Sequence, residues 1–266
     1  MAEMGSLSAR RTAAALVLLA LVAAVTVGMG RWQLQRADER RAIRAAIEAG
    51  RRATPLALHP ATPAGQLRPW RPALAEGTWR NDLTVLIDNR NLDGRPGLWV
   101  ATPLAFAGQP DHAVLVLRGW LPRRLDGQPL QVPAGGAGMQ RVRGELAERV
   151  PRLFDLAELT GGEPPGLPAG WPHAGGTLAE PPRVQNLDLA AYARATGLQL
   201  LPAVLQQTDH LDDGLRREWP QPSVDADQNI GYAVQWFGFA TIAAVAWLAL
   251  AVRAWRRRHA ARRTSD

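Results

Sequence analysis

A reaction needs a nucleophile, a metal-ligand cluster or an acid–base pair, and this sequence is poor in all three. It has no Cys and no Lys, and Ser223 is the only Ser between its two long uncharged runs. Disulfides, thiolate metal sites, Schiff bases and most serine-hydrolase schemes are thereby disfavoured. Four histidines lie in the central region, His59, His112, His173 and His210, and none pairs with another at metal-ligand spacing. His210 stands in Thr208-Asp-His-Leu-Asp-Asp, where Asp209, Asp212 and Asp213 could hold a cation. That would be the one route to a carboxylate hydrolase, and a solvated acidic turn is the simpler reading. Gly135-Gly-Ala-Gly lacks the Lys-Ser or Lys-Thr of a phosphate loop. No catalytic residue and no metal site is assigned, and the expectation is a protein that is not an enzyme.

The elements that would position any site are dominated by two uncharged runs. From Ile230 to Val252 there is no charged residue, and as a helix that run is about 34 Å long, enough to cross a hydrocarbon core. Tyr232 and Trp236 lie one turn apart at its start and Trp255 follows its end, where amphipathic rings prefer the headgroup layer. Residues 12–30 form the second run, after Arg10 and Arg11. Its length favours an anchor, with a cleavable signal peptide as the alternative. The net charge of +7 concentrates at the flanks: residues 253–266 carry six Arg and one Asp, and about +1 is left for the central region. A nucleic-acid face therefore has little support. The C-terminal Arg cluster predicts a cytoplasmic C-terminus, and Arg31 to Arg44 after the first run vote the other way. A translocated domain of this length is insensitive to that vote, so both termini are expected in the cytoplasm.

The predicted organisation is a cytoplasmic N-terminus (1–11), a span (12–30), a β-rich periplasmic domain (31–229), a second span (230–252) and a basic cytoplasmic tail (253–266). A helix continues from the first span to about Ala49, with Trp32 and Arg36 on one face, and Gly50 to Arg71 reads as a Pro-rich linker. Strands are predicted over 72–79, with Gly77 as a bulge, and over 83–89, 98–106, 113–120, 140–146 and 199–206. Asp93-Gly94 is the strongest turn signal, and the apolar run 113–120 belongs inside the sheet. Residues 160–183 read as a Gly- and Pro-rich loop, and Asp188 to Ala195 as a short helix closed by Gly197. The fold class is thus a membrane protein with two transmembrane α-helices flanking a β-rich (α+β) extracytoplasmic domain, a small antiparallel barrel or curved sheet.

Five stretches in order carry a resemblance. Gly30-x-Trp-Gln-x-x-Arg, Asp88-Asn-Arg, Gly97-Leu-Trp-Val-Ala-Thr-Pro-Leu, Val114-Leu-Val-Leu-Arg-Gly-Trp-Leu-Pro and Gly231-Tyr-Ala-Val-Gln-Trp-Phe together resemble the Surf1/Shy1 family. The resemblance implies an accessory factor for biogenesis of haem-copper cytochrome oxidase, assisting haem a delivery or insertion into the catalytic subunit. It implies the oxidase catalytic subunit and haem A synthase as partners, a two-pass location in the bacterial inner membrane and no catalysed reaction. Two departures stand out. Leu117 replaces an Asn frequent in the family, and Asn229 replaces a His proposed there as a haem ligand; an amide is a poor axial ligand for haem iron. On this reading Trp32, Gln33, Arg36, Arg118, Tyr232, Gln235, Trp236 and His210 are the haem-proximal candidates. Arg36 and Arg118 would suit haem propionates, and haem a would be bound transiently if at all. A two-span envelope scaffold without haem is the competing reading.

Overall fold

The computed structural model describes residues 2–124, 130–154, 166–168, 170–172 and 180–263. In chain order the elements are α1 (Ala2–Arg52), β1 (Leu56–Ala57), β2 (Pro72–Trp79), β3 (Val85–Ile87), β4 (Gly97–Phe106), β5 (Gln109–Pro122) and β6 (Met139–Ala147). They are followed by β7 (Arg183–Val184), α2 (Leu189–Thr196), β8 (Gln199–Gln207) and α3 (Asp227–Arg263). The chain divides into a helical unit, Met1–Ala45 with Pro222–Asp266, and a β unit, Ala46–Gln221.

The β unit is organised by ring closure. β2, β6, β8, β5 and β4 pair in that order, and β2 also pairs with β4, so five strands close into a barrel. The expected all-antiparallel barrel is corrected in one respect: β5 and β8 run parallel, while the other four pairings of the ring are antiparallel. The reason is parity, because strand directions cannot alternate all the way round a closed ring of odd number. Gly77 marks the closure, lying opposite Phe106 of β4 and Gln140 of β6. A Cβ there would sit 2.0 Å from the Ala105 carbonyl oxygen, so this glycine serves a close backbone approach in a continuous ladder and is not a bulge.

β5 explains its own composition. Val114 and Val116 enter one buried cluster, with Leu104, Val142, Leu146 and Leu205. Leu115 and Leu117 enter a second, with Ile87, Trp99, Trp120 and Tyr192. Alternate side chains point to opposite faces of a strand, so a strand covered on both faces reads as an unbroken apolar run. The short helix α2 seals the second cluster. The Asp188 side chain caps it by accepting from the Ala191 N–H at 2.8 Å, and Gly197 ends it in the left-handed region at φ 71°. Tyr192 is fully buried and donates its hydroxyl to the Leu83 carbonyl.

Two further expectations are revised. Residues 50–71 are more than a linker, since Leu56, Leu58 and Leu67 are buried in the first cluster and β1 pairs with β2. Within 160–183, much of which lies outside the described residues, Trp171 is buried against Tyr192 and β7 pairs with β3. At Asp93-Gly94 the expected turn is present, with both residues at positive φ and Leu92 and Arg95 exchanging backbone hydrogen bonds.

In the helical unit, Arg10–Arg52 and Asp227–Arg257 contain stretches long and apolar enough to cross a membrane. The two helices run antiparallel: Arg40 donates to the Asp225 carbonyl at 2.6 Å, Gln33 meets Asn229, and Gly30 faces the Phe237 ring. Thr26, Gly30 and Ala37 on α1 and Ala233, Ala240 and Ala243 on α3 are buried. Their spacing of three, four or seven residues makes each row a single helix stripe, and small residues there let the backbones approach. Most remaining large apolar side chains of the unit, such as Val17 and Ile242, are exposed.

Candidate functional site

The candidate residues divide between the two units. On the helical pair, Gln33 and Asn229 meet: the Asn229 side-chain amide donates to the Gln33 amide oxygen at 2.7 Å. One turn before Gln33, Gly30 leaves room for Phe237, whose ring carbons would lie 2.8 Å from a Cβ at that position. The Asn229 side-chain oxygen is buried and has no hydrogen-bond partner. Trp236 packs edge-on against Phe239. Trp32, Arg36, Tyr232 and Gln235 face outward and are exposed, and Arg36 is held by Glu39 at 2.9 Å on its own helix. Trp32 lines an open groove of about 880 Å³ whose walls come from α1 alone, including Gly28, Gln35 and Ala42.

Arg118 is in the β unit and has a different character. Val100 pairs with Gly119 and Ala101 with Leu117, so Arg118 is the extra residue of a bulge in β5. It is 3% exposed, donates to the Pro133 carbonyl at 2.6 Å and lies 5.2 Å over the Trp79 ring. Burial holds its pKa below the ordinary arginine value. The residue after it, Gly119, has φ 155° and admits the chain at Leu215, whose Cβ would be 2.7 Å from a side chain there. Trp120 then exchanges two backbone hydrogen bonds with Arg216 and donates its indole N–H to the Arg90 carbonyl at 2.6 Å.

This brings together motifs that sequence reasoning left as separate strings. Arg90 is buried, donates to the Gln185 carbonyl at 2.9 Å and lies 4.6 Å over Trp99. Its pKa is pulled down to about 10 by burial, with Asp88 opposing the shift. Trp99 meets Trp219 edge-on at 5.4 Å, and Asp88 pairs with Arg123. A Cβ at Gly97 would lie 2.3 Å from the Trp120 ring. Asp88-Asn-Arg, Gly97-Leu-Trp and Arg118-Gly-Trp are therefore one packed unit of cations and indoles. No residue spacing announces this, because it is the register of the β3–β4 and β4–β5 pairings that sets these side chains against one another.

His210 is exposed beside a cavity of about 470 Å³, with Asp209, Asp212 and Arg217 also on its wall. Asp209 accepts from the Arg143 backbone N–H at 2.7 Å, and Asp213 pairs with Arg217 at 2.5 Å. Burial works most strongly against the Asp213 charge, but the Arg217 hydrogen bond, the Leu215 N–H and the charges of Arg217 and Arg118 together outweigh it and hold the carboxyl below its usual value. Among the described residues no group of His, Cys, Asp and Glu is placed to hold a metal. His59 is exposed, His112 is half-buried on β5, and His173 lies outside the described residues.

A haem at the helical pair would need an axial ligand on its iron. Residue 229 offers a carboxamide whose N–H is already given to Gln33, and the only described imidazole of this unit is His259, far along α3. The residues present do not fit iron ligation through position 229.

The family model described as the SURF1 family matches residues 20–241, which include about half of each helix's apolar stretch and the whole barrel. None of the curated proteins compared with the chain matches it.

Proposed function

The chain belongs to the SURF1 family, known generally as cytochrome oxidase assembly factors, and we propose that it assists haem a insertion into the catalytic subunit of a haem-copper oxidase. It does so as a membrane-anchored scaffold and does not hold the iron through residue 229. The observation that carries the proposal is the extent of the family match, which takes in part of each helix and the whole barrel between them. The closed Asn229–Gln33 contact favours the scaffold mode over haem carriage. The residue inventory agrees, since an assembly factor needs no nucleophile and this chain has neither Cys nor Lys.

In this proposal the protein sits in the bacterial inner membrane with both termini cytoplasmic and the barrel periplasmic. The Arg-rich tail after Val252 supports that orientation, as does antiparallel pairing, which puts both chain ends at the same end of the helical pair. The catalytic subunit and haem A synthase are the partners. The exposed Trp32, Tyr232 and Gln235, with the half-buried Trp236, lie near one end of the pair and offer them aromatic and amide contacts at the membrane interface.

The test is the haem a content of the oxidase in membranes from cells lacking the protein, together with an absorption spectrum of the protein purified in mild detergent after co-expression with the haem A enzymes. Oxidase haem a should fall and recover on complementation, while the purified protein shows no stoichiometric a-type spectrum. Unchanged oxidase haem would remove the assembly role and leave a scaffold serving some other envelope process. A stoichiometric haem spectrum that persists in Asn229→Leu would instead make the protein a carrier with another ligand.

A further inference from the structure

Polar side chains are scarce along the seam between α1 and α3, and those present are arranged in register. Arg40 reaches the Asp225 carbonyl, Gln33 accepts from Asn229, and Gly30 forms the slot for Phe237. Beyond this end the buried seam residues are Thr26, Ala240 and Ala243, and the Thr26 hydroxyl is satisfied by its own helix through the Val22 and Ala23 carbonyls. The Asn229–Gln33 hydrogen bond thus joins the two helices side chain to side chain at this end of the seam.

An apolar seam of small residues specifies closeness and says little about register, because sliding or turning one helix exchanges one alanine for another. Lipid offers no hydrophobic drive for helix association either, so packing and interhelical polar bonds must define the pair. An amide pair whose partners face each other at one height only does this: both residues lie just outside the apolar runs, and slippage breaks their bond and leaves two half-buried carboxamides unpaired in the seam. A lone polar residue in an apolar helix seam is the best-attested device for fixing register. The Phe237 ring adds a steric stop, since one turn to either side of Gly30 the stripe carries the larger Thr26 and Gln33.

We propose that Gln33 and Asn229 form a register lock between the two membrane helices. Gln33 positions residue 229, and the Phe237 ring seated at Gly30 sets the neighbouring turn. The role of residue 229 is then to fix how the two helices present their outward faces, and this holds whichever partner those faces meet. The orphaned Asn229 oxygen, buried beside its bonded N–H, leaves a second hydrogen bond for the Gln33 amide N–H to supply when the pair tightens.

The chain has no cysteine, so spin labels can be placed cleanly at Val25→Cys and Ile242→Cys, both exposed positions, in the full-length protein reconstituted in lipid. Pulsed electron paramagnetic resonance then reads the interhelical distance distribution. The parent should give one narrow peak. Gln33→Leu and Asn229→Leu should each broaden or shift it, and the double variant should be no worse than either single one, because both remove the same bond. The exchanged pair, Gln33→Asn with Asn229→Gln, should restore a single peak, which separates loss of the bond from loss of folding. Distributions that coincide with the parent in either single variant would overturn the lock, as would single effects that add. Neither outcome depends on oxidase haem content, so failure of the lock and failure of the assembly role are read separately.

Discussion

Two arginines from the same set of motifs, Arg118 and Arg36, show how differently the barrel and the helical pair use charge. Arg118 is buried in the barrel, fixed by the Pro133 carbonyl and stacked over Trp79. Arg36 is half exposed on α1 and bound only to Glu39 three residues away. The same contrast separates the tryptophans. Trp120 is 3% exposed and bonded through its indole N–H, whereas Trp32 is 50% exposed with no ring or hydrogen-bond partner among the described residues. In the barrel these motif residues make the fold; on the helices they are left facing outward, available to a membrane interface or a partner. A motif residue is therefore not evidence of a binding role until its burial is known.

Matched substitutions can break that contrast. The largest effect is expected for Trp120→Ala, which removes a buried indole, its bond to Arg90 and the surface on which Gly97 rests. Loss of a buried Trp costs about 3–5 kcal/mol, and urea unfolding of the detergent-solubilised protein, followed by near-ultraviolet circular dichroism, should show it as an early barrel transition. Trp32→Ala should stay within about 0.5 kcal/mol of the parent, as surface substitutions do. Equal shifts in the two variants would show that Trp32 is packed in the folded protein and that the contrast is wrong.

A smaller difference is expected for the arginines. Arg118→Ala loses a charge-assisted bond to a carbonyl, on the order of 1.5–3 kcal/mol, and uncovers Trp79. Arg36→Ala loses an exposed pair of the kind that contributes about 0–1 kcal/mol. The informative readout is the ratio between stability and oxidase haem content. Arg118→Ala should lower both together, through the barrel. Arg36→Ala should leave unfolding unchanged, so that any fall in oxidase haem reports on contact with a partner.

How much of this could be read beforehand follows from the range of each interaction. Local signals carried well: β2 runs over Pro72–Trp79 as predicted, Asp188 and Gly197 bound α2, and Asp93-Gly94 makes its turn. Each depends on residues within a few positions of one another. Closure did not carry, because the β2–β4 pairing joins residues that alternation alone leaves unmatched, and the parallel β5–β8 pair follows from strand number and not from any residue. The two-residue strands β1 and β7 lie in stretches whose Pro content suggested loop, yet each adds a parallel edge to a neighbour. For the site, Gln33 was a candidate and Asn229 a noted departure, but nothing in the sequence pairs them across 196 positions. Arg118 was a candidate inside a run read as continuously apolar, and its place in a bulge needed the register of β4.

The finest test compares two ion pairs of similar geometry, Asp213–Arg217 in the barrel at 2.5 Å and Arg36–Glu39 on α1 at 2.9 Å. Arg217 keeps 8% of its side chain exposed, against 51% for Arg36, so only the first pair is shielded from solvent screening. The Asp213 carboxyl is held below its ordinary value of 3.8. Its folded pKa therefore lies under the unfolded one, and its stabilisation is fully present above about pH 4. It is lost as pH falls through the depressed folded value. Between about pH 5 and pH 2 the parent should lose more barrel stability than Asp213→Asn, which has no proton to take up at that position. Glu39→Gln removes only the exposed pair with Arg36 and should leave unfolding within about 1 kcal/mol of the parent. A larger loss would mean that the outward face of α1 is less open to solvent than its exposure indicates, and the division between a self-satisfied barrel and an available helical face would have to be redrawn there.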